Sequence, residues 1–389
     1  MKIETFALER WMTTWELDVE FDITESGIYP MSLRELIELA PEGEHEGLRD
    51  ALLDIRLGYS EARGTAELRA ELASTYRGAT AENVLVTTGA IEANFLLFNV
   101  LLDPGDHVVA VHPAYQQLYS VPRGIGCEVD LWKLTPENGF RFDVDELERL
   151  VRPQTRLIVV NTPHNPTGAV LTQAELERIY ALAEANDAWV LFDEAYRWLD
   201  LPGEEPLAPP GWELGERAIS TGTFSKPFGL PGLRIGWLVA PEEIVQRCWH
   251  LRDYITLSPG KLNDALALHA LRHREQVVAR NRAIVEANLR TVERWLEEHG
   301  DIVGWTRPRG GLLALLAYRL DITSQELADR LAGEYSVMLA PGAAFDYEYH
   351  LRIGLGQRPD VFAGGLERAA ACFADLRASG IGLRDGALE

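Results

Sequence analysis

The sequence predicts an α/β fold in which a mainly parallel sheet is sandwiched by helices and a smaller α+β domain is attached. Three observations carry that expectation. Short β-branched runs recur from about residue 80, and most of them end in turn residues. Amphipathic helical patterns separate several of these runs. Beyond residue 252 a long charged helical stretch gives way to alternating short strands and helices.

Taken in order, the segment before residue 40 has no strand–helix unit of its own, so residues 1–40 are expected to join the small domain. The large domain is expected over residues 41–279. Its buried strands are read at "ENVLVTTG" (82–89), "DHVVAVHP" (106–113), "RLIVVNTP" (156–163), "AWVLFDEA" (188–195), "AISTGTFS" (218–225) and "RIGWLVAP" (234–241). Strands of a parallel sheet are covered on both faces, so they read as continuous apolar runs rather than alternating ones. "TQAELERIYALAEAND" (172–187) reads as a helix, with Thr172 and Glu175 spaced to form an N-terminal capping box. Residues 252–300 are largely helical and bridge the two domains. "GGLLALLAY", "QELADRLAGEY", "VMLAPG", "YHLRIGLG" and "GGLERAAACFADLRAS" follow within 280–389 as the small domain, and "GIGLRDGALE" reads as a loose tail.

The net charge of −23 argues against a nucleic-acid partner and against an anionic membrane surface, both of which would repel the chain. Cys127, Cys248 and Cys372 lie far apart, with no zinc-type spacing, which fits a reducing, cytoplasmic location. The opening residues carry acids and no uninterrupted apolar segment, unlike a signal peptide. No run approaches the roughly 18 apolar residues of a membrane span.

Ligands of open α/β sheets lie outside the carboxyl ends of the strands, so the residues that end these strands carry the chemistry. In order they are Thr88-Gly89-Ala90, Tyr115, Asn165, Asp193 and Tyr196, then Thr223, Ser225, Lys226 and Arg234. Lys226 stands out because the chain has only four lysines beside many arginines. Arginine cannot give up its proton, whereas a lysine amine can form a Schiff base with a carbonyl. A carboxylate suits a pyridinium nitrogen, and an amide with a phenol suits a phenolate oxygen. Hydroxyls, a helix N-terminus and an arginine suit a phosphate. Together these requirements describe pyridoxal phosphate.

The same residues resemble the class I/II aminotransferases of the pyridoxal-phosphate-dependent transferase fold type I. "VVNTPHNPTG" resembles the family's Asn-Pro-x-Gly motif, which implies that Asn165 bonds the ring oxygen and contributes to substrate binding. "LFDEAYR" resembles its Asp-x-x-Tyr motif, which implies Asp193 on the pyridine nitrogen and Tyr196 on the ring oxygen. "TFSKPFGLPGLRIGW" resembles the cofactor-lysine motif, which implies an aldimine at Lys226 and phosphate contacts from Thr223, Ser225 and Arg234.

Further implications follow from the same likeness. Tyr115 would stack on the ring, and Gly89, Ala90 and Ile91 would form the helix-start phosphate loop, where Ile91 replaces a small or polar residue. Tyr59 in "GYSEARGTAELR" would reach the phosphate of a neighbouring subunit, making the active unit a homodimer. Arg352 in "YHLRIGLG" would bind the substrate α-carboxylate, and the segment around Gly27 would lie over the substrate.

The reaction implied is transamination of an L-amino acid. The alternative is elimination, since "GLPGLRIGW", "RDYITLS", "PRGG" and "ESGIYPMSLRELIEL" also resemble a branch of the family, the capreomycidine synthases. Enzymes of that branch eliminate water from a hydroxylated arginine and cyclise its guanidinium group. Glu25 and Asp253 are then the candidates to face a cationic side chain. His164 reads as variable filler within its motif.

Overall fold

The computed structural model describes residues 2–385. In chain order its strands are β1 (Phe21–Asp22), β2 (Val84–Thr87), β3 (His107–His112), β4 (Glu128–Lys133), β5 (Thr155–Asn161), β6 (Trp189–Asp193), β7 (Ala218–Thr223) and β8 (Gly236–Val239). They continue with β9 (Val303–Trp305), β10 (Leu313–Tyr318), β11 (Val337–Met338), β12 (Ala340–Pro341) and β13 (His350–Gly354).

The large sheet has seven strands in the order β2-β8-β7-β6-β5-β3-β4. Pairing is parallel from β7 to β4, and only β8 runs against its neighbours. The twelve-residue link from β7 to β8 is the lysine-bearing loop, which holds only the short turn Pro231–Leu233 and no crossover helix to carry the chain back for a parallel return. Every residue of β3 and β7 is buried, as a sheet covered on both faces requires.

The helix at 173–185 forms as its cap predicts: Thr172 Oγ1 accepts from the Glu175 amide, and the Glu175 carboxylate accepts from the Thr172 amide. β4 is a strand that the apolar pattern does not reveal. It lies at the edge of the sheet, keeps only Trp132 fully buried, and so retains acidic residues along its length.

The small domain is a four-stranded antiparallel sheet, β12-β13-β10-β9, backed by helices Ser324–Tyr335 and Pro359–Ala378. Helix Arg274–Glu298 spans both domains. Val277 packs with the sheet-edge cluster of Phe224, Phe228 and Trp237, while Val285, Leu289 and Val292 pack in the small-domain core.

The N-terminal segment divides between the domains. Leu8, Trp11, Met12, Ile23 and Ile28 pack in the small-domain core, and β1 pairs with β11. Met31 and Leu36, by contrast, pack against the large domain beside Phe228 and Trp237, so residues 31–40 do not join the small domain. The tail also departs from expectation. Leu383 bridges to Leu320, and the Arg384 amide donates to the Arg319 carbonyl at 2.7 Å. Only the last four residues of the expected loose tail, 386–389, lie outside the described residues.

Candidate active site

The carboxyl ends of β5, β6 and β7, the loop after β3 and the start of helix Ala90–Leu101 open into a cavity of about 590 Å³. Loops after β3 and β5 leave the sheet in opposite directions, which creates a crevice at that point. Helix Ala7–Trp15 and residues 25–26 close the cavity from the other side.

One end of the cavity is built for an anion. Gly89 caps helix Ala90–Leu101 at φ +78°, with no side-chain cap, so the first amides of the helix face the cavity unpaired by a cap. A Cβ at Gly89 would come within 2.9 Å of Arg234 Nη2, so glycine is what lets the guanidinium close on the loop. Arg234 itself has φ +51°. Its Nη1 donates to Ser225 Oγ at 3.5 Å, and Thr223 Oγ1 stands 3.1 Å from the same hydroxyl.

Asp193 forms the floor. It is buried, and its oxygens are engaged one by one: Oδ1 accepts from the Ala195 amide at 3.1 Å, and Oδ2 accepts from Asn94 Nδ2 at 3.0 Å. Burial pushes its pKa up to about 6, while the bonds from Asn94 and Ala195 pull the other way. Asn161 Nδ2 donates to the Asp193 carbonyl at 2.9 Å, and Asn161 Oδ1 accepts from the Asn165 amide at 2.7 Å.

Lys226 projects into the same space. Its Nζ donates to Ser26 Oγ at 2.7 Å and lies 3.6 Å from Glu25 Oε1. Burial lowers its pKa, Glu25 opposes that, and Arg352 adds to it. Arg352 is 2% exposed. It donates to the Thr24 carbonyl at 2.9 Å and to Asn165 Oδ1 at 3.5 Å, while its Nε has no partner. Arg352 nevertheless lines the cavity, and a buried guanidinium there is suited to a carboxylate ligand.

Tyr115 lies on the wall, packed against Phe6 with ring centroids 4.8 Å apart, and donates to Glu9 Oε1 at 3.0 Å. Tyr196 is buried and lines the floor, and burial raises its phenol pKa. Glu9, Glu16 and Glu25 stand around the mouth with Arg10. Burial acts to raise the Glu25 pKa, but Lys226 and Arg352 outweigh it and hold the group low.

The cavity thus gathers Gly89, Ala90, Ile91, Tyr115, Asn165, Asp193, Tyr196, Thr223, Ser225, Lys226, Arg234 and Arg352. Four expected residues are not on its lining, the first being Thr88, whose amide donates to Glu92 Oε2. Tyr59 is 84% exposed on the surface of this chain. Gly27 is buried just behind the wall, its carbonyl pressed against Gly356, where a Cβ would meet it at 2.0 Å. Asp253 caps helix Glu242–Arg252 on the exposed side, whereas Glu25 does face the cavity. His164 is buried outside the lining, its Nδ1 paired with Thr167 Oγ1 at 2.8 Å, and burial drives its pKa down to about 3.

Sequence reasoning missed Asn94, Asn161 and Glu9. Asn161 is the last residue of β5, so the strand-end rule was enough to find it. An asparagine inside the apolar run "ANFLLFNVL" was the signal for Asn94.

The set fits a phosphorylated pyridine carbonyl: an anion cradle at one end, a buried carboxylate on the floor, a flat aromatic wall and an amine within reach. Among the described residues no cluster of His, Cys, Asp and Glu suits a metal ion, and no helix is long and apolar enough to cross a membrane.

The sequence profile described as aminotransferase class I and II matches residues 33–362. Capreomycidine synthase of Streptomyces vinaceus is 34% identical over 369 residues, 95% of this chain and 92% of that one. The arginine–pyruvate transaminase of Pseudomonas aeruginosa is 32% identical over 343 residues, 84% of this chain and 85% of that one. A crystal structure of a pyridoxal-phosphate-dependent aminotransferase from Streptococcus suis superimposes with a TM-score of 0.90 at 32% identity, covering 97% of this chain and 99% of that one.

Proposed function

Because this chain belongs to the aminotransferase class I and II family, we propose that it is a pyridoxal-phosphate-dependent aminotransferase that takes an amino group from an L-amino acid through Lys226. One observation carries the reading. A lysine with a lowered pKa shares a cavity with a buried carboxylate and a buried arginine.

Lys226, Asp193, Asn165, Tyr196, Tyr115, Thr223, Ser225, Arg234 and the Gly89–Ile91 loop are the residues that would hold the cofactor. When bound, pyridoxal phosphate supplies a carbonyl that links covalently to amines and a ring that accepts the electron pair left by a departing α-proton. The chain supplies the rest. Arg352 binds the substrate carboxylate by charge-assisted hydrogen bonds. Lys226 Nζ, deprotonated more readily because it is desolvated, takes the α-proton and returns it. Asp193 would supply the negative charge that keeps the ring nitrogen protonated.

Glu9, Glu16 and Glu25 around the mouth support a substrate with a cationic side chain, and the likeness to the arginine–pyruvate transaminase supports the same class. A second reading, elimination from an arginine-like or hydroxylated guanidino amino acid with ring closure, is supported by the likeness to capreomycidine synthase. The exposed Tyr59, with Leu53, Leu57 and Tyr254 also exposed, supports a homodimer in which Tyr59 crosses to the neighbouring phosphate. Three widely spaced free cysteines support a cytoplasmic location.

The test is a single-turnover titration with arginine, its hydroxylated analogues and a panel of other amino acids, without any keto acid. One equivalent of keto acid, with the cofactor left in its amine form, is expected for transamination. Many turnovers without an acceptor, with the cofactor spectrum restored, would replace that reading with elimination. No reaction with any amino acid would overturn both.

A further inference from the structure

Asn94 lies in the second turn of helix Ala90–Leu101, is 1% exposed, and still contributes to the cavity lining. An amide buried in an apolar helix is costly unless both of its ends are bonded. Both are. Nδ2 donates to Asp193 Oδ2 at 3.0 Å, and Oδ1 accepts from Thr221 Oγ1 at 3.0 Å. Thr221 stands directly opposite Asp193 in the β6–β7 register, so one amide spans two adjacent strands. The threonine hydroxyl fixes which way the amide points, and that direction puts its N–H on the carboxylate.

We infer that Asn94 is a positioning residue that aims the Asp193 carboxylate at the cofactor's ring nitrogen; this assignment rests on the pyridoxal phosphate reading. The donor's chemistry matters. Arginine, lysine or protonated histidine at this place would pair with Asp193 and compete with the ring for its charge. A neutral amide orients the carboxylate and leaves the charge in place. The count of bonds agrees, because Asp193 accepts one N–H at each oxygen, and an ionised carboxylate has room for about four. The free lone pairs are available to the ring nitrogen.

The inference is tested with the wild type, Asn94→Leu and Asn94→Ala, each stripped of cofactor and reconstituted with pyridoxal phosphate carrying nitrogen-15 in the ring. Two quantities are read: the ring-nitrogen resonance, and the cofactor's dissociation constant from quenching of the apoprotein's tryptophan fluorescence. The wild type is expected to give a protonated-ring resonance. In the variants that resonance moves toward the unprotonated position, and the dissociation constant rises about tenfold to a hundredfold, the range for losing a hydrogen bond to a charged group. A packing role alone would leave the resonance unmoved. Wild-type resonance and affinity in both variants overturn the inference. If the leucine does not fold, the smaller alanine carries the test. A wild type that binds no pyridoxal phosphate overturns the cofactor reading along with it.

Discussion

The floor of the cavity and its mouth are built on different principles. At the floor, Asp193, Asn94, Asn161, Thr223 and Arg352 are all buried, and each is hydrogen-bonded to residues on other elements. At the mouth, Glu9 lies on the short helix Ala7–Trp15, Glu16 caps its end, and Glu25 has a side chain 49% exposed. Buried polar groups keep their geometry because every alternative leaves an unpaired atom in a dry interior. Exposed carboxylates have water as an equal partner. The floor is therefore suited to chemistry common to many substrates, and the mouth to choosing among them.

The largest expected effect breaks the floor at its reactive end. Lys226→Arg keeps a positive charge but cannot form a covalent bond to the cofactor or act as a base near neutrality. Turnover is expected to fall by about 10³-fold or more, with loss of the protein-linked cofactor's visible absorbance. Retained absorbance in this variant would show that another residue carries the link.

Next comes Asp193→Asn, which separates function from stability. Activity is expected to drop about 10²- to 10³-fold, as when a positioned charge is lost from a dry site. The apoprotein should respond in the opposite direction. Burial raises the Asp193 pKa from 3.8 to about 6, so this group's contribution to stability is fully present below pH 3.8 and is lost as pH rises through about 6. At pH 8 the variant, which has no charge to bury, should melt above the wild type, by up to about 3 kcal/mol at 1.36 per pKa unit. The gap should close by pH 4. Equal melting of the two apoproteins from pH 4 to 8 would remove burial as the source of the shift.

Tyr59 asks whether the floor is complete in one chain. The anion cradle draws on Gly89, Thr223, Ser225 and Arg234, while Tyr59 is exposed on the same chain and far more open than any of them except Arg234. If its hydroxyl reaches the neighbour's phosphate, Tyr59→Phe weakens cofactor binding by up to about tenfold, the value of one hydrogen bond. Sedimentation should still give a dimer. A monomeric wild type that binds cofactor normally would exclude the crossing.

The same contrast explains what was legible in the sequence. Lys226, Asp193, Asn165 and Thr223 all lie at or within a few residues of strand ends, so recognising the strands locates them. Asn94 is one of two asparagines in a largely apolar helix, and its purpose appears only when β6 and β7 are placed beside it. Glu9, and the contact of Ser26 with Lys226, are further from reach. Ser26 meets Lys226 across 200 residues of sequence, and Glu9 meets Tyr115 across 106, contacts fixed by how the N-terminal segment packs between the domains. Nothing local encodes them. β4 escaped for a related reason, since an edge strand is only partly buried and has no need of a continuous apolar run.

The smallest effect belongs to the mouth, and it probes the contrast most directly. Glu9 has two tasks that a substitution can separate: it accepts the Tyr115 hydroxyl at 3.0 Å, and it adds a negative charge beside Glu16 and Glu25. Glu9→Gln keeps an oxygen for Tyr115 and removes the charge. If the mouth selects by charge, kcat/KM for a guanidino amino acid falls about fivefold, the scale of one half-exposed ion pair, and the loss shrinks in high salt. Neutral amino acids and cofactor affinity should be unaffected, because the wall and the floor are unchanged. An equal loss for cationic and neutral substrates would mean that Glu9 acts through Tyr115 and belongs with the floor, and the acidic rim would lose its part in choosing the substrate.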